Sequence, residues 1–375
     1  MSAADIRIPP ALLPADGRFG CGPSKVPQEA VARLARAAPA LLGTSHRRLR
    51  VKDLVRRIRE GMAAFFSLPD GYEVVLGNGG ATLFWDAAGY CLVRRRSAHA
   101  VFGEFSAKCA QAVAAMPFLD DPVTAESGYG DHPTLSHVDG VDLYALTHCE
   151  TSTGVAMPVT RPSADGIVAV DATSAAGGLP FTVADCDAYY FSPQKCFASE
   201  GGLWVALLSP AALTRVEELR AGGRHVPAML DLGLAVDNAR KDQTYNTPSV
   251  STLFLLVEQL DRLNERGGLA WAAKSCAAKA AHVYEWAAAS DYARPFVADP
   301  TKRSDVVCTV DLDDSVDAGR VSAALRANGI VDTEPYRKLG RNQLRFGVFP
   351  AVDQVDVERL TACVDHVVAR LRGTA

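Results

Sequence analysis

The run Ile167-Val168-Ala169-Val170 is apolar at every position and ends on a carboxylate, Asp171. A continuous β-branched stretch of this length predicts an interior strand of a parallel sheet, covered on both faces. A second apolar run, Ala188-Tyr189-Tyr190-Phe191, leads into Ser192-Pro193-Gln194-Lys195. Similar runs predict strands over residues 72–76, 142–146 and 203–208. Residues 51–62 alternate differently: Val51, Leu54, Val55, Ile58 and Met62 fall on one face of a helix. Further helices are expected from Pro27, over 83–92, after Phe102-Gly103-Glu104, after Ser209-Pro210 and over 253–263, followed by alanine-rich helices to about residue 289. Residues 120–140 are turn-rich and read as a surface excursion. The last hundred residues carry their own strand–helix–strand–helix pattern over 306–310, 318–328, 344–348 and 355–371. The glycine pair after Arg266 marks a break. The division is an arm over 1–18, a large domain over 19–266 and a small one over 267–375.

Composition narrows the class. The chain has 375 residues, 48% hydrophobic and 22% charged, enough for two domains with a sizeable core. A net charge of −4 gives no field drawing nucleic acid or an anionic membrane. No apolar stretch approaches the roughly 18 residues of a membrane span, and the first residues lack a signal-peptide core. Nine cysteines form no CxxC pair and no metal-ligand spacing, so we expect reduced thiols, a cytoplasmic protein and no metal.

The chemistry gathers at strand ends, where ligand sites of such sheets lie. Asp171 and Lys195 each close a buried strand. An amine and an acid in that relation suit pyridoxal phosphate, which takes a lysine on its aldehyde and a carboxylate at its ring nitrogen. A surface cap and a solvated lysine are the plain alternative. Gly77-Asn78-Gly79-Gly80-Ala81-Thr82 joins a strand to a helix, the geometry in which free N–H groups hold a phosphate. It is equally a tight turn, and it is neither a Walker motif nor a dinucleotide fingerprint. His46 and Arg47 lie in a polar loop, and Phe105 follows a strand-to-helix turn where an aromatic either stacks on a flat ligand or joins the core.

Taken in order, FGCGPSK, GTSHR, GNGGAT, FGEFSAK, ETSTG, VDATSAAGG, YYFSPQK and QTYNTP resemble the phosphoserine aminotransferases, fold-type I pyridoxal-phosphate enzymes of the class V group. The likeness spans nearly the whole chain and is nearest to the actinobacterial branch. It implies an α/β fold: a large domain with a mostly parallel seven-stranded sheet flanked by helices, and a smaller C-terminal α/β domain. It implies that Lys195 carries the cofactor and shuttles protons, and that Asp171 pairs with the pyridine nitrogen. Thr151 would lie near the phenolic oxygen and Phe105 over the ring. Ala81, Thr82 and Gln194 would hold the cofactor phosphate, with Asn246 and Thr247 arriving from the partner of a homodimer. His46, Arg47 and Arg345 would bind substrate. Cys21, Cys149 and Cys196 stand where many members carry Ser or Asn, and cysteine is a poorer hydrogen-bonding group. Ala81 stands where some members use an arginine for the substrate phosphate. That leaves the task to His46, Arg47 or the run Arg337-Lys338-Arg341.

The reaction so implied is transamination between 3-phosphohydroxypyruvate and L-glutamate, giving O-phospho-L-serine and 2-oxoglutarate in serine biosynthesis. The 4-phosphohydroxythreonine step of pyridoxine biosynthesis is a related expectation. The competing expectations are alanine–glyoxylate or serine–pyruvate transamination, cysteine desulfuration, and a cofactor-free binding relative of the fold.

Overall fold

A computed structural model describes residues 3–373. Seven strands make the central sheet: β1 (Glu73–Asn78), β2 (Ser97–Val101), β3 (Val123–Glu126), β4 (Leu143–Thr147), β5 (Ile167–Asp171), β6 (Ala188–Phe191) and β7 (Leu203–Leu208). Their order is β1-β7-β6-β5-β4-β2-β3. Only β7 runs antiparallel to its neighbours, so the sheet is mostly parallel as expected. β5 lies in the middle, and every residue in it is buried. Val168 and Val170 enter the core on one face, Ile167 and Ala169 the core on the other. That two-sided burial is why its sequence is apolar without alternation.

Helices α1 (Gln28–Leu41), α2 (Leu49–Phe65), α3 (Ala81–Cys91), α4 (Glu104–Ala114), α5 (Pro210–Ala221), α6 (Leu232–Ala239) and α7 (Val250–Glu265) cover the sheet. On α2 the stripe Val51, Leu54, Val55, Ile58, Met62 is buried together with Phe65. Ser209, Asp231 and Ser249 cap α5, α6 and α7 by accepting from backbone N–H groups of the first turn. β3 and α6 are among the elements that escape the sequence pattern. β3 interrupts the turn-rich excursion as an edge strand with only partial burial, so its residues Val-Thr-Ala-Glu carry no apolar run. α6 is a short capped segment of eight residues.

A second sheet, β8 (Ala293–Pro295), β9 (Val307–Leu312) and β10 (Gln343–Gly347), is antiparallel and packs with α8 (Gly268–Ala289), α9 (Ala318–Ala327) and α10 (Gln354–Arg372). α8 starts at the glycine pair and runs through both cores: Ala272 and Cys276 belong to the first, Ala280, Val283 and Ala287 to the second. The described residues of the N-terminal arm dock on this unit. Ile6, Ile8 and Phe19 are buried in the second core, and the Gly347 N–H donates to the Phe19 carbonyl at 2.7 Å.

Two histidines of the large sheet region are buried. His99 on β2 meets Ser97 Oγ at 2.9 Å, and His148 Nδ1 meets the Tyr189 hydroxyl at 3.0 Å. Burial pushes His99 down to about 4 and His148 down to about 3. Below the ordinary value the unfolded chain takes up protons that the folded chain refuses. Stability therefore falls as pH drops from about 6.5 towards 4, by up to about 1.4 kcal/mol per pH unit for each ring. Urea midpoints at pH 7, 6 and 5 should decline accordingly, and His99→Gln should flatten the decline. Midpoints independent of pH across that window would refute the assignment.

Candidate active site

The loop after β6 delivers Lys195 to the carboxyl end of the sheet. Its side chain is only 7% exposed. Nζ donates to Ser174 Oγ at 2.6 Å and Thr151 Oγ1 at 2.9 Å, and stands 5.7 Å above the Phe105 ring. Burial lowers the lysine's proton affinity; Arg345 adds to this, while Asp171 opposes it. The N-terminal loop closes over the amine's stem at Gly22, where φ is +136° and a Cβ would lie 2.6 Å from Lys195 Cε. Only glycine fits there.

Asp171, at the tip of β5, is 5% exposed. Its Oδ2 accepts from Trp85 Nε1 at 2.8 Å; its Oδ1 accepts from the Thr173 backbone N–H at 3.0 Å and from Thr173 Oγ1 at 2.7 Å. The turn between β1 and α3 uses two left-handed glycines, Gly79 at φ +117° and Gly80 at +88°. Gly80 is the N-cap, and no side chain caps the helix, so the first amides of α3 open outward. Arg345, on β10, donates from Nη1 to the Thr151 carbonyl at 2.8 Å and lies 5.5 Å over the Tyr336 ring. Its Nε and the Gln194 Oε1 are buried without a partner.

Eight of the expected residues border one cavity of about 380 Å³: Ala81, Thr82, Phe105, Thr151, Asp171, Gln194, Lys195 and Arg345. The other four do not line it. His46, Arg47, Asn246 and Thr247 gather beside the end of β1. There His46 Nδ1 meets Thr247 Oγ1 at 3.1 Å, and Asn78 donates to the Thr247 carbonyl at 3.1 Å and to the Asn246 side chain.

A family model described as aminotransferase class-V matches residues 19–333. The chain belongs to the class V aminotransferases. It is 57% identical to a phosphoserine aminotransferase of Rhodococcus opacus over 97% of this chain and 98% of that one. A phosphoserine aminotransferase of a Nocardioides species is 56% identical over 98% of this chain and 99% of its own. Among solved structures, a phosphoserine aminotransferase from Cytophaga hutchinsonii superposes with a TM-score of 0.86 at 23% identity, over 93% of this chain and 99% of that one. The likeness of that structure is one of fold. An alanine–glyoxylate aminotransferase from Nostoc shares the fold too, at a TM-score of 0.77 and 18% identity, over 96% of this chain and 97% of that one.

The cofactor of this class V aminotransferase is pyridoxal 5′-phosphate. The cavity fits it: a desolvated amine, a buried carboxylate, a helix start with open amides and an aromatic ring border one space. The thiols are quiet by comparison. Cys21 and Cys149 border the cavity, and Cys149 Sγ lies 3.2 Å from Ser304 Oγ. Burial pushes Cys149 up to about 12 and raises Cys21 as well. Cys196 points away, to the Ser174 carbonyl.

Several groups at the site carry no signal in the sequence pattern. Ser174 and Trp85 reach Lys195 and Asp171 only through the fold, although Ser174 lies inside the quoted VDATSAAGG motif, as does Thr173, which reaches Asp171 locally. Glu150 is fully buried, and its carboxylate accepts from Ser106 N at 2.9 Å, Phe105 N at 3.1 Å, Ser106 Oγ at 2.9 Å and Ser152 Oγ at 2.7 Å. It caps α4 from outside and fixes Phe105. Glu150→Ala should destabilise the protein by about 3 kcal/mol, since several buried donors lose their acceptor. Chemical denaturation checks this; a loss below about 0.5 kcal/mol would contradict the capping role.

Proposed function

We propose that the enzyme moves the amino group of L-glutamate onto 3-phosphohydroxypyruvate, releasing O-phospho-L-serine and 2-oxoglutarate for serine biosynthesis. The observation that carries this reading is the near-full-length likeness to the Rhodococcus opacus phosphoserine aminotransferase. In it Lys195 would be the residue whose amine holds the cofactor through its aldehyde. The amides of Ala81 and Thr82, the Thr82 hydroxyl and Gln194 would hold the cofactor phosphate. Asp171 would pair with the pyridine nitrogen, Thr151 would lie near the phenolic oxygen, and Phe105 would cover the ring. When bound, pyridoxal phosphate supplies a protonated ring that draws electrons from the substrate α-carbon. Lys195 Nζ would take the α-proton and pass it on to the cofactor; burial lowers its proton affinity, which favours the free amine. Thr151 and Ser174 aim that amine. Arg345, with Nε unpartnered, suits the substrate α-carboxylate.

The substrate phosphate calls for a cation that is free. Arg341 is held by Asp311 and Lys338 by Glu104. Among the described residues, no ion pair engages the Arg47 or Arg337 guanidinium, so we assign the phosphate to Arg47 and Arg337, with His46. A second copy of the chain would bring the loop pair to the cavity. Leu49 is 82% exposed beside His46 and Arg47, and Leu42, Tyr245 and Met229 are exposed around the same loops. Asn246 Nδ2 lies 3.5 Å from Met229 Sδ. We therefore take the enzyme as a homodimer in which Asn246 and Thr247 reach the partner's cofactor phosphate. We also keep the large domain at 19–266 and the small one at 267–375, with the arm docked on the latter. No described helix is long and apolar enough to cross a membrane, and the nine unpaired, buried cysteines favour the cytoplasm. Cysteine desulfuration needs an exposed, ionisable thiol, and burial of Cys21 and Cys149 speaks against it. The 4-phosphohydroxythreonine step of pyridoxine biosynthesis would use the same phosphate cations.

Lys195→Ala should cut kcat by about 10³-fold or more, read by coupled detection of 2-oxoglutarate; wild-type turnover would end the assignment. A panel of 2-oxo acids assayed against glutamate should favour 3-phosphohydroxypyruvate over hydroxypyruvate and glyoxylate. Arg47→Ala should raise KM for both 3-phosphohydroxypyruvate and glutamate, by roughly 10- to 100-fold if one charge-assisted contact is lost. A rise for one substrate alone would rule out a shared pocket.

A further inference from the structure

α3 carries more than the amides at its start. One turn further along, Trp85 sends its indole N–H to Asp171 Oδ2 at 2.8 Å. Asp171's other donors, the backbone N–H and hydroxyl of Thr173, lie on its own loop two residues away and move with it. Trp85 is 86 positions distant in sequence and belongs to a different element. An indole nitrogen can only donate, and a carboxylate is its strongest partner. Both residues are nearly buried, so water competes little for the bond. Ala81 and Trp85 lie four residues apart on one helix, a rise of about 6 Å. Both border the same cavity.

We propose that Trp85 is a positioning residue that fixes the Asp171 carboxylate relative to the start of α3, so that one helix sets the spacing between the phosphate end and the ring-nitrogen end of the cofactor site. This rests on the assignment of Asp171 to the ring nitrogen made above. A tryptophan here is more than filler for the core. Its bond ties the strand that ends in the acid to the helix that begins at the glycine turn. Without it, Asp171 keeps only donors that turn with its own loop. The charged and titratable groups facing Asp171 are Lys195 from the loop after β6, Cys109 from α4, and Tyr189 and Tyr190 from β6. Tyr190 is also within reach of the indole. None of these is a second fixed donor to the carboxylate.

The test is a double-mutant cycle of Trp85→Phe, Asp171→Asn and the pair, reading the pyridoxal phosphate dissociation constant and the pH midpoint of the bound cofactor's visible band. Trp85→Phe should weaken cofactor binding about tenfold, the size of one lost charge-assisted hydrogen bond. It should also move the midpoint upward, because less positive charge held at the ring nitrogen eases protonation nearby. Asp171→Asn should do the same more strongly, and adding Trp85→Phe to it should change nothing further. If Trp85→Phe leaves both readings at wild-type values, or its effect is undiminished in the Asp171→Asn background, the proposal is overturned while the role of Asp171 stands. If Asp171→Asn itself leaves both readings unchanged, the ring-nitrogen assignment falls, and this proposal with it. Should Trp85→Phe fail to fold, replacing Trp85 with the isosteric benzothienylalanine removes the N–H without changing shape. The same tenfold weakening and upward shift are expected of it, and wild-type values would overturn the proposal.

Discussion

An ammonium-bearing side chain taken out of water, with hydroxyls rather than a carboxylate against it, is the condition on which this site depends. Lys195 touches Thr151 and Ser174, whereas Asp171 is occupied by Trp85 and Thr173. A direct ion pair between them would hold the proton on the lysine and tie up the acid. Keeping the two apart leaves both at the wall of the one cavity without pairing. The separation follows from topology. They stand at the ends of neighbouring parallel strands, one at the tip of β5 and one on the loop after β6.

The residues that a reader of the sequence can find are those whose local pattern is forced. β5 is apolar throughout because helices cover both faces, so its terminal aspartate stands out. The glycine turn before α3 stands out because a left-handed backbone at Gly79 and Gly80 admits little else. Lys195 follows a strand of the same kind. The contacts of Trp85, Ser174 and Glu150 are silent because their partners lie 86, 21 and about 45 positions away. Trp85 in a helix with Phe84 and Ala88 looks like any core residue.

The small unit is legible as a strand–helix alternation but not in how it attaches. The first eighteen residues read as an arm, and the buried trio Ile6, Ile8 and Phe19 is too widely spaced to show periodicity. Likewise β3 is an edge strand whose polar residues follow from half-exposure. The edge of a sheet is where the hydrophobic code is weakest. His46, Arg47, Asn246 and Thr247 illustrate a different limit: the motifs single them out, and the fold gathers them beside the end of β1 without bringing them to the cavity.

α8 passes from the first core into the second without a break. A rigid rod shared by two hydrophobic interiors couples their melting, since neither can come apart without stripping apolar surface from half of the rod. The sheet that carries Arg345 and the sheet whose end carries Lys195 are in this sense one cooperative body.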